Sequence, residues 1–110
     1  MPNEIRLSPQ TAAILAALLT SPSEWRYGYD LSRETELKSG TLYPILMRLT
    51  EREWLETRWE HAEDNGKPRH VYRLTGPGRK WAREFLSAYE AMMAAKKSKG
   101  RVLRPAPSKG

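Results

Sequence analysis

Ser39, Gly40 and Thr41 stand directly before an apolar helical run, Leu42 to Leu49, and their types suit recognition rather than catalysis. A hydroxyl both donates and accepts, so Ser39 and Thr41 at a helix start match base edges or phosphate oxygens, and the helix's own first N–H groups favour anions. Lys38 precedes them, Tyr43 adds a phenol, and Arg48 lies a further turn along on the flank of Thr41. A second basic set, Lys67, Arg69 and Arg73, follows in a stretch of alternating residues, where cations can neutralise phosphates. Each could also be an ordinary solvated side chain, and Ser39 or Thr41 is expected to cap its helix. Bond-making chemistry has no comparable support. No nucleophile sits beside a base in a recognisable motif, and Gly76-Pro77-Gly78 reads as a turn into a helix, not a phosphate cradle. The chain has no cysteine, and His61 has no partner at metal-ligand spacing, so no catalytic residue, metal or cofactor is implied.

The elements that must carry these residues follow from periodicity. Ser8-Pro9 reads as an N-cap and first helical residue, and Ile14, Leu15, Leu18 and Leu19 share one face as far as Thr20. Ser21-Pro22-Ser23 stops that helix, Glu24-Trp25-Arg26 reads as a linker, and Gly28 to Thr35 forms a second short helix with Leu31 inward. Pro44 belongs in a first turn, which places the cap of the third helix among Ser39, Gly40 and Thr41. Leu42, Ile45, Leu46 and Leu49 then form its inner stripe. After Arg52 the period changes to two. Leu55, Thr57 and Trp59 alternate with charged residues, Asp64-Asn65-Gly66 signals a turn, and His70, Tyr72 and Leu74 share the inner face of a return strand. Thr75 caps a last helix expected to reach about Lys97, roughly 33 Å long at 1.5 Å per residue.

The bulk charge of +6 says less than its location. Residues 94–110 carry six of the 19 basic side chains and none of the 13 acidic ones, so the first 93 residues are balanced. The end of the chain, rich in Lys, Gly, Pro and Ser, reads as a disordered basic tail. The expected organisation is therefore a winged helix-turn-helix over residues 8–75, a C-terminal helix over 76–97 and a tail over 98–110: mainly α with a small β-hairpin. No apolar run approaches the roughly 20 residues of a membrane span and the start lacks a signal-peptide pattern, so a cytoplasmic, nucleoid-associated location is expected.

The details go beyond that outline. Tyr27-Gly28-Tyr29-Asp30-Leu31, then Gly40-Thr41-Leu42-Tyr43-Pro44-Ile45-Leu46 with Arg48-Leu49, then His70-Val71-Tyr72-Arg73-Leu74-Thr75-Gly76-Pro77-Gly78, come in order at matching separations. Over residues 10–80 the chain resembles the PadR family of bacterial transcriptional regulators. The resemblance implies a regulator, most simply a repressor, that binds double-stranded DNA with the third helix as reader and the hairpin as wing. Two departures stand out: the family's usual glycine before the first wing strand is replaced near Glu53, and the chain ends soon after one long helix. If Glu53 needs a positive φ it stores strain of about 1 kcal/mol; a differently built turn is the preferred expectation.

The last helix presents Trp81, Phe85, Tyr89, Met92 and Met93, a stripe wider than one contact needs, which suggests a homodimer. Trp81, Phe85 and Tyr89 form either the dimer core alone or, as the family suggests, also a cleft for a small aromatic or hydrophobic effector. A protein-docking module without specific DNA binding is the rival reading, since the body is neutral.

Overall fold

The computed structural model describes residues 5–61 and 66–103, with side chains as far as Lys96. Four helices and three strands run in the order α1 (Pro9–Thr20), β1 (Arg26–Tyr27), α2 (Gly28–Thr35), α3 (Ser39–Glu51), β2 (Leu55–His61), β3 (Pro68–Leu74) and α4 (Gly76–Leu103). The mainly helical fold with a small antiparallel sheet is that of a winged helix-turn-helix.

α1 begins as its sequence dictates. Ser8 Oγ accepts from the Thr11 N–H at 3.2 Å with Pro9 at the first helical position, satisfying one of the donors that a helix start leaves open. Its buried face, with Ile14, Leu15 and Leu18, meets Leu31 of α2, Leu42, Leu46 and Leu49 of α3, Leu55 and Leu74 of the sheet, and Ala82 and Phe85 of α4 in a single core. α2 ends at Glu36 in the left-handed conformation (φ 60°). Ser32 Oγ donates to the Leu37 carbonyl at 2.6 Å across that turn, which fixes how α3 leaves α2.

Three expectations need correction here. First, Glu24 to Arg26 is not wholly a linker: Arg26–Tyr27 pairs antiparallel with Tyr72 and Val71, giving a sheet of order β1-β3-β2. A two-residue strand is too short for its period to show. It is held by Arg26, whose guanidinium donates to the Ala17 carbonyl at 2.8 Å and pairs with Glu34. Second, the cap of α3 is Lys38, with no side-chain cap bond; the Thr41 and Leu42 N–H groups both reach the Lys38 carbonyl. The cap therefore lies one residue before the expected window, and Pro44 lies inside the helix. That is tolerable because the carbonyl the missing N–H would have bonded, Gly40, is at an exposed position without a side chain. Third, α4 does not stop at Lys97 but continues to Leu103. A segment with little to bury reads as disordered, whereas helix propagation needs only local hydrogen bonds and good formers such as Ala, Met and Lys. Residues 104–110 of that tail, and Asp64 and Asn65 of the expected turn, lie outside the described residues.

The start of the wing is a closely constrained turn. Glu53 has φ 63°, so the turn keeps its left-handed residue and is not built differently. The Trp54 N–H reaches the Leu49 carbonyl at 3.1 Å and the Glu53 N–H reaches Thr50 at 2.9 Å, the paired bonds of a Schellman helix end. α4 starts from the same place. Thr75 Oγ1 donates to the Glu53 carbonyl at 2.8 Å and accepts from the Gly78 N–H at 2.9 Å, while the Thr75 N–H reaches the Trp54 carbonyl at 3.1 Å. A Cβ on Gly78 would lie 1.8 Å from that Trp54 carbonyl oxygen, so only glycine allows α4 this close. The Trp54 and Trp81 rings stack across the junction at 3.8 Å.

Candidate nucleic-acid interface

α3 lies on the core through Leu42, Leu46 and Leu49 and exposes Ser39, Gly40, Thr41, Tyr43, Pro44, Met47 and Arg48. Because Lys38 supplies the cap through its backbone, neither the Ser39 nor the Thr41 hydroxyl is engaged as one. Both stand in the first turn, where the helix dipole favours negative charge.

Two clefts flank the helix, each of about 620 Å³. On one side Thr41 and Arg48 share a cleft with Arg6 and Gln10. Arg6 is a cation that sequence reading missed; it precedes α1 in a segment with no periodic pattern to place it. On the other side Tyr43 faces the wing residues Arg69 and His70 across a cleft shared with Tyr27, Tyr29 and Asp30. Tyr43 is positioned by Gly28: a Cβ there would lie 2.3 Å from the Tyr43 hydroxyl and 2.9 Å from its ring. The glycine of the first motif and the tyrosine of the second are thus one contact.

The wing is a seven-pair hairpin in register from Leu55 opposite Leu74 to His61 opposite Pro68. The face expected to be inner carries an aromatic row that leaves the core toward the tip: Trp59, itself exposed, stacks on His70 at 4.3 Å, His70 lies 4.8 Å from Tyr72, and Tyr72 lies 6.5 Å from Tyr43. Tyr72 Oη and His70 Nδ1 are 3.1 Å apart. Burial, and then the neighbouring Tyr43, push the Tyr72 phenol up to about 12. His70 is therefore a packed strand residue. The outer face is not simply solvated, because Val71 is fully buried there. Arg58 and Arg73 each place a guanidinium 4.3 Å from the Trp25 ring on that face.

The basic residues of the wing thus divide. Lys67 and Arg69 are exposed toward the tip, Arg69 lying 5.5 Å from the Tyr27 ring. Tyr27 in turn donates to Glu60 at 3.0 Å, and that carboxylate raises its pKa. Arg73 is at the root instead, bonded to Glu56 at 3.1 Å and stacked on Trp25, so the structure does not bring it to the others. In α4, Phe85 is buried within its own chain and Trp81 lies between Trp54 and Phe85. Phe85 is therefore removed from any surface a second subunit could cover, a correction to the expected interface. Tyr89 and Met92 are half-buried and Met93 is exposed.

The sequence profile of the PadR-like family of transcriptional regulators matches residues 14–84. The chain belongs to that family. Its members are transcriptional regulators rather than enzymes. An uncharacterised protein of Lysinibacillus sphaericus is 32% identical, with 58% of this chain matched; the match spans 65% of that relative's length. Among solved structures, a PadR-like transcription factor from Bacteroides fragilis is 26% identical with a TM-score of 0.63, covering 80% of this chain and 86% of its own. A PadR family regulator from Eggerthella lenta shares the fold with a TM-score of 0.67 at 24% identity, covering 89% of this chain and 87% of its own. No helix among the described residues is long and apolar enough to cross a membrane.

Proposed function

We propose that this PadR-like protein is a homodimeric repressor that holds an inverted-repeat operator with two copies of α3. The observation that carries the reading is the exposed first turn of α3, Ser39 to Thr41, with its hydroxyls not engaged as caps and cations on both flanks. In this arrangement Ser39, Gly40 and Thr41 meet base edges, Lys38, Tyr43 and Arg48 meet the backbone beside them, and Lys67 and Arg69 meet backbone or minor groove from the wing. Arg6 joins the Arg48 flank. Arg73 acts indirectly by bracing the sheet. Two reading helices one turn of DNA apart, or a multiple, match the symmetry of such a site.

The dimer is proposed from α4. Leu86 and Tyr89 pack at the edge of the core, Met92 and Met93 continue the apolar stripe past it, and a second copy of the same stripe is the simplest cover. A small aromatic or hydrophobic effector acting between subunits would meet Tyr89, Met92 and Met93, since Phe85 is enclosed and one Trp81 face is taken by Trp54. Action alongside the nucleoid in the cytoplasm belongs to the same proposal.

Binding of the full-length protein to its own upstream region and to a scrambled duplex, across a salt series, tests the reading. A preference of about 10³-fold or more is expected at physiological salt. Arg69→Ala should weaken both duplexes alike and lower the salt slope by about 1, whereas Thr41→Ala should reduce the preference. Equal, steeply salt-dependent binding to every duplex would favour the protein-docking alternative.

A further inference from the structure

α3 does not present one uniform face to its surroundings. At 100° per residue, Thr41 and Arg48 lie on one flank and Tyr43 on the other, matching the two clefts they line. The ridge opposite the buried Leu42, Leu46 and Leu49 is Gly40, Pro44 and Met47, followed by Glu51 near the end of the helix. Met47 is 62% exposed, among the most exposed large apolar side chains in the chain. Gly40 has nothing within 4 Å of a notional Cβ, so the ridge is open there too. Gly40, Pro44 and Met47 have no side-chain donor, and the Met thioether is only a weak acceptor.

A helix lying in the major groove turns its flanks toward the two phosphate walls and its ridge toward the bases. Here the phenol and guanidinium are on the flanks, the Ser39 and Thr41 hydroxyls reach base edges only at the helix start, and the middle of the ridge can read only by apolar contact. The apolar group on the floor of the major groove is the 5-methyl of thymine. From Gly40 to Met47 the ridge covers about 10 Å, or roughly three base pairs. We infer that Met47, with Pro44 beside it, is a specificity-determining residue that selects thymine in the operator half-site through its 5-methyl group. This inference rests on α3 being the reading helix.

The test starts from a pool of random duplexes, from which full-length protein selects its preferred site. Each thymine of the selected site is then replaced by deoxyuridine, which removes the methyl and leaves every hydrogen-bonding edge intact. One or two positions per half-site should lose about four-fold in affinity, the contribution of one buried methyl group. Met47→Ala, at an exposed position that should leave thermal stability unchanged, should bind thymine and deoxyuridine sites equally. Deoxyuridine sites that bind wild type as well as thymine sites overturn the inference while leaving specific DNA reading intact. Methyl sensitivity that persists in Met47→Ala takes the assignment away from Met47. Failure to select any site from the pool overturns the inference together with the operator reading beneath it.

Discussion

Replacing Glu53 by glycine should stabilise this protein, although it deletes a side chain and adds no contact. Glu53 holds φ 63° at the end of α3, and the structure uses its backbone: its N–H to Thr50 and its carbonyl to Thr75 Oγ1. A residue with a Cβ costs about 1–2 kcal/mol in the left-handed region. Glycine avoids that cost but loses about 0.5–1 kcal/mol through the greater freedom of its unfolded chain. The net gain is about 0.5–1 kcal/mol, or about 2–4 °C in Tm for a domain of this size. Thermal unfolding followed by circular dichroism at one fixed protein concentration measures it, since any dimer makes Tm depend on concentration. Glu53→Val should move the other way by more than 1 °C, because a β-branched residue tolerates positive φ least. A glycine variant no more stable than wild type, with a valine variant equally stable, would refute the reasoning.

Gly78→Ala should destabilise by about 3 kcal/mol or more, because the new methyl meets a backbone carbonyl at 1.8 Å; Gly76→Ala, with open space around it, is the control in the same melts. Gly28→Ala should unfold only slightly earlier yet bind DNA several-fold more weakly. There the methyl collides with the Tyr43 ring, which can swing outward but then leaves its place in the cleft; equal affinity by fluorescence anisotropy would remove Tyr43 from the interface. Alkaline pH should destabilise the fold. The Tyr72 phenol has its folded pKa raised from 10 to about 12, so its contribution is complete below pH 10 and is lost as pH rises toward 12. Tyr27, raised by Glu60, acts with the same sign. Urea midpoints measured from pH 9 to 12 should fall for wild type and fall less for Tyr72→Phe.

Much of the fold was legible because its signals are local. Ser8-Pro9 sets the start of α1, the stripe of Leu42, Leu46 and Leu49 sets the inner face of α3, and Leu55, Thr57 and Trp59 show a strand by alternation. What was illegible depends on partners distant in sequence. β1 exists because Tyr72 and Val71 lie beside it and Ala17 and Glu34 hold Arg26. The choice of Lys38 as cap depends on the turn that Glu36 and Ser32 build. At the candidate site, periodicity placed Thr41, Tyr43 and Arg48 on the outside. It could not show that Arg73 is tied to Glu56 and Trp25, that Arg6 returns to stand near Arg48, or that Phe85 is enclosed by its own chain. The positive φ at Glu53 is a different case. The resemblance to glycine-bearing relatives pointed to it, and the residue type argued against it.

The junction at Trp54 gives the molecule a mechanical property. The first residues of the wing and the first turn of α4 are fastened to the same two peptide units, by Thr75, by the close approach of Gly78 and by the Trp54–Trp81 stack. Ala82 and Phe85 also hold α4 in the core, so the helix, the wing and the body turn as one piece. The helix is about 42 Å long, so a turn of about 5° of that whole piece moves its far end by about 3.5 Å, close to the spacing of one base pair. In the proposed dimer the coupling also runs in reverse: a small change in how two α4 arms cross would shift the paired readers by a base-pair step.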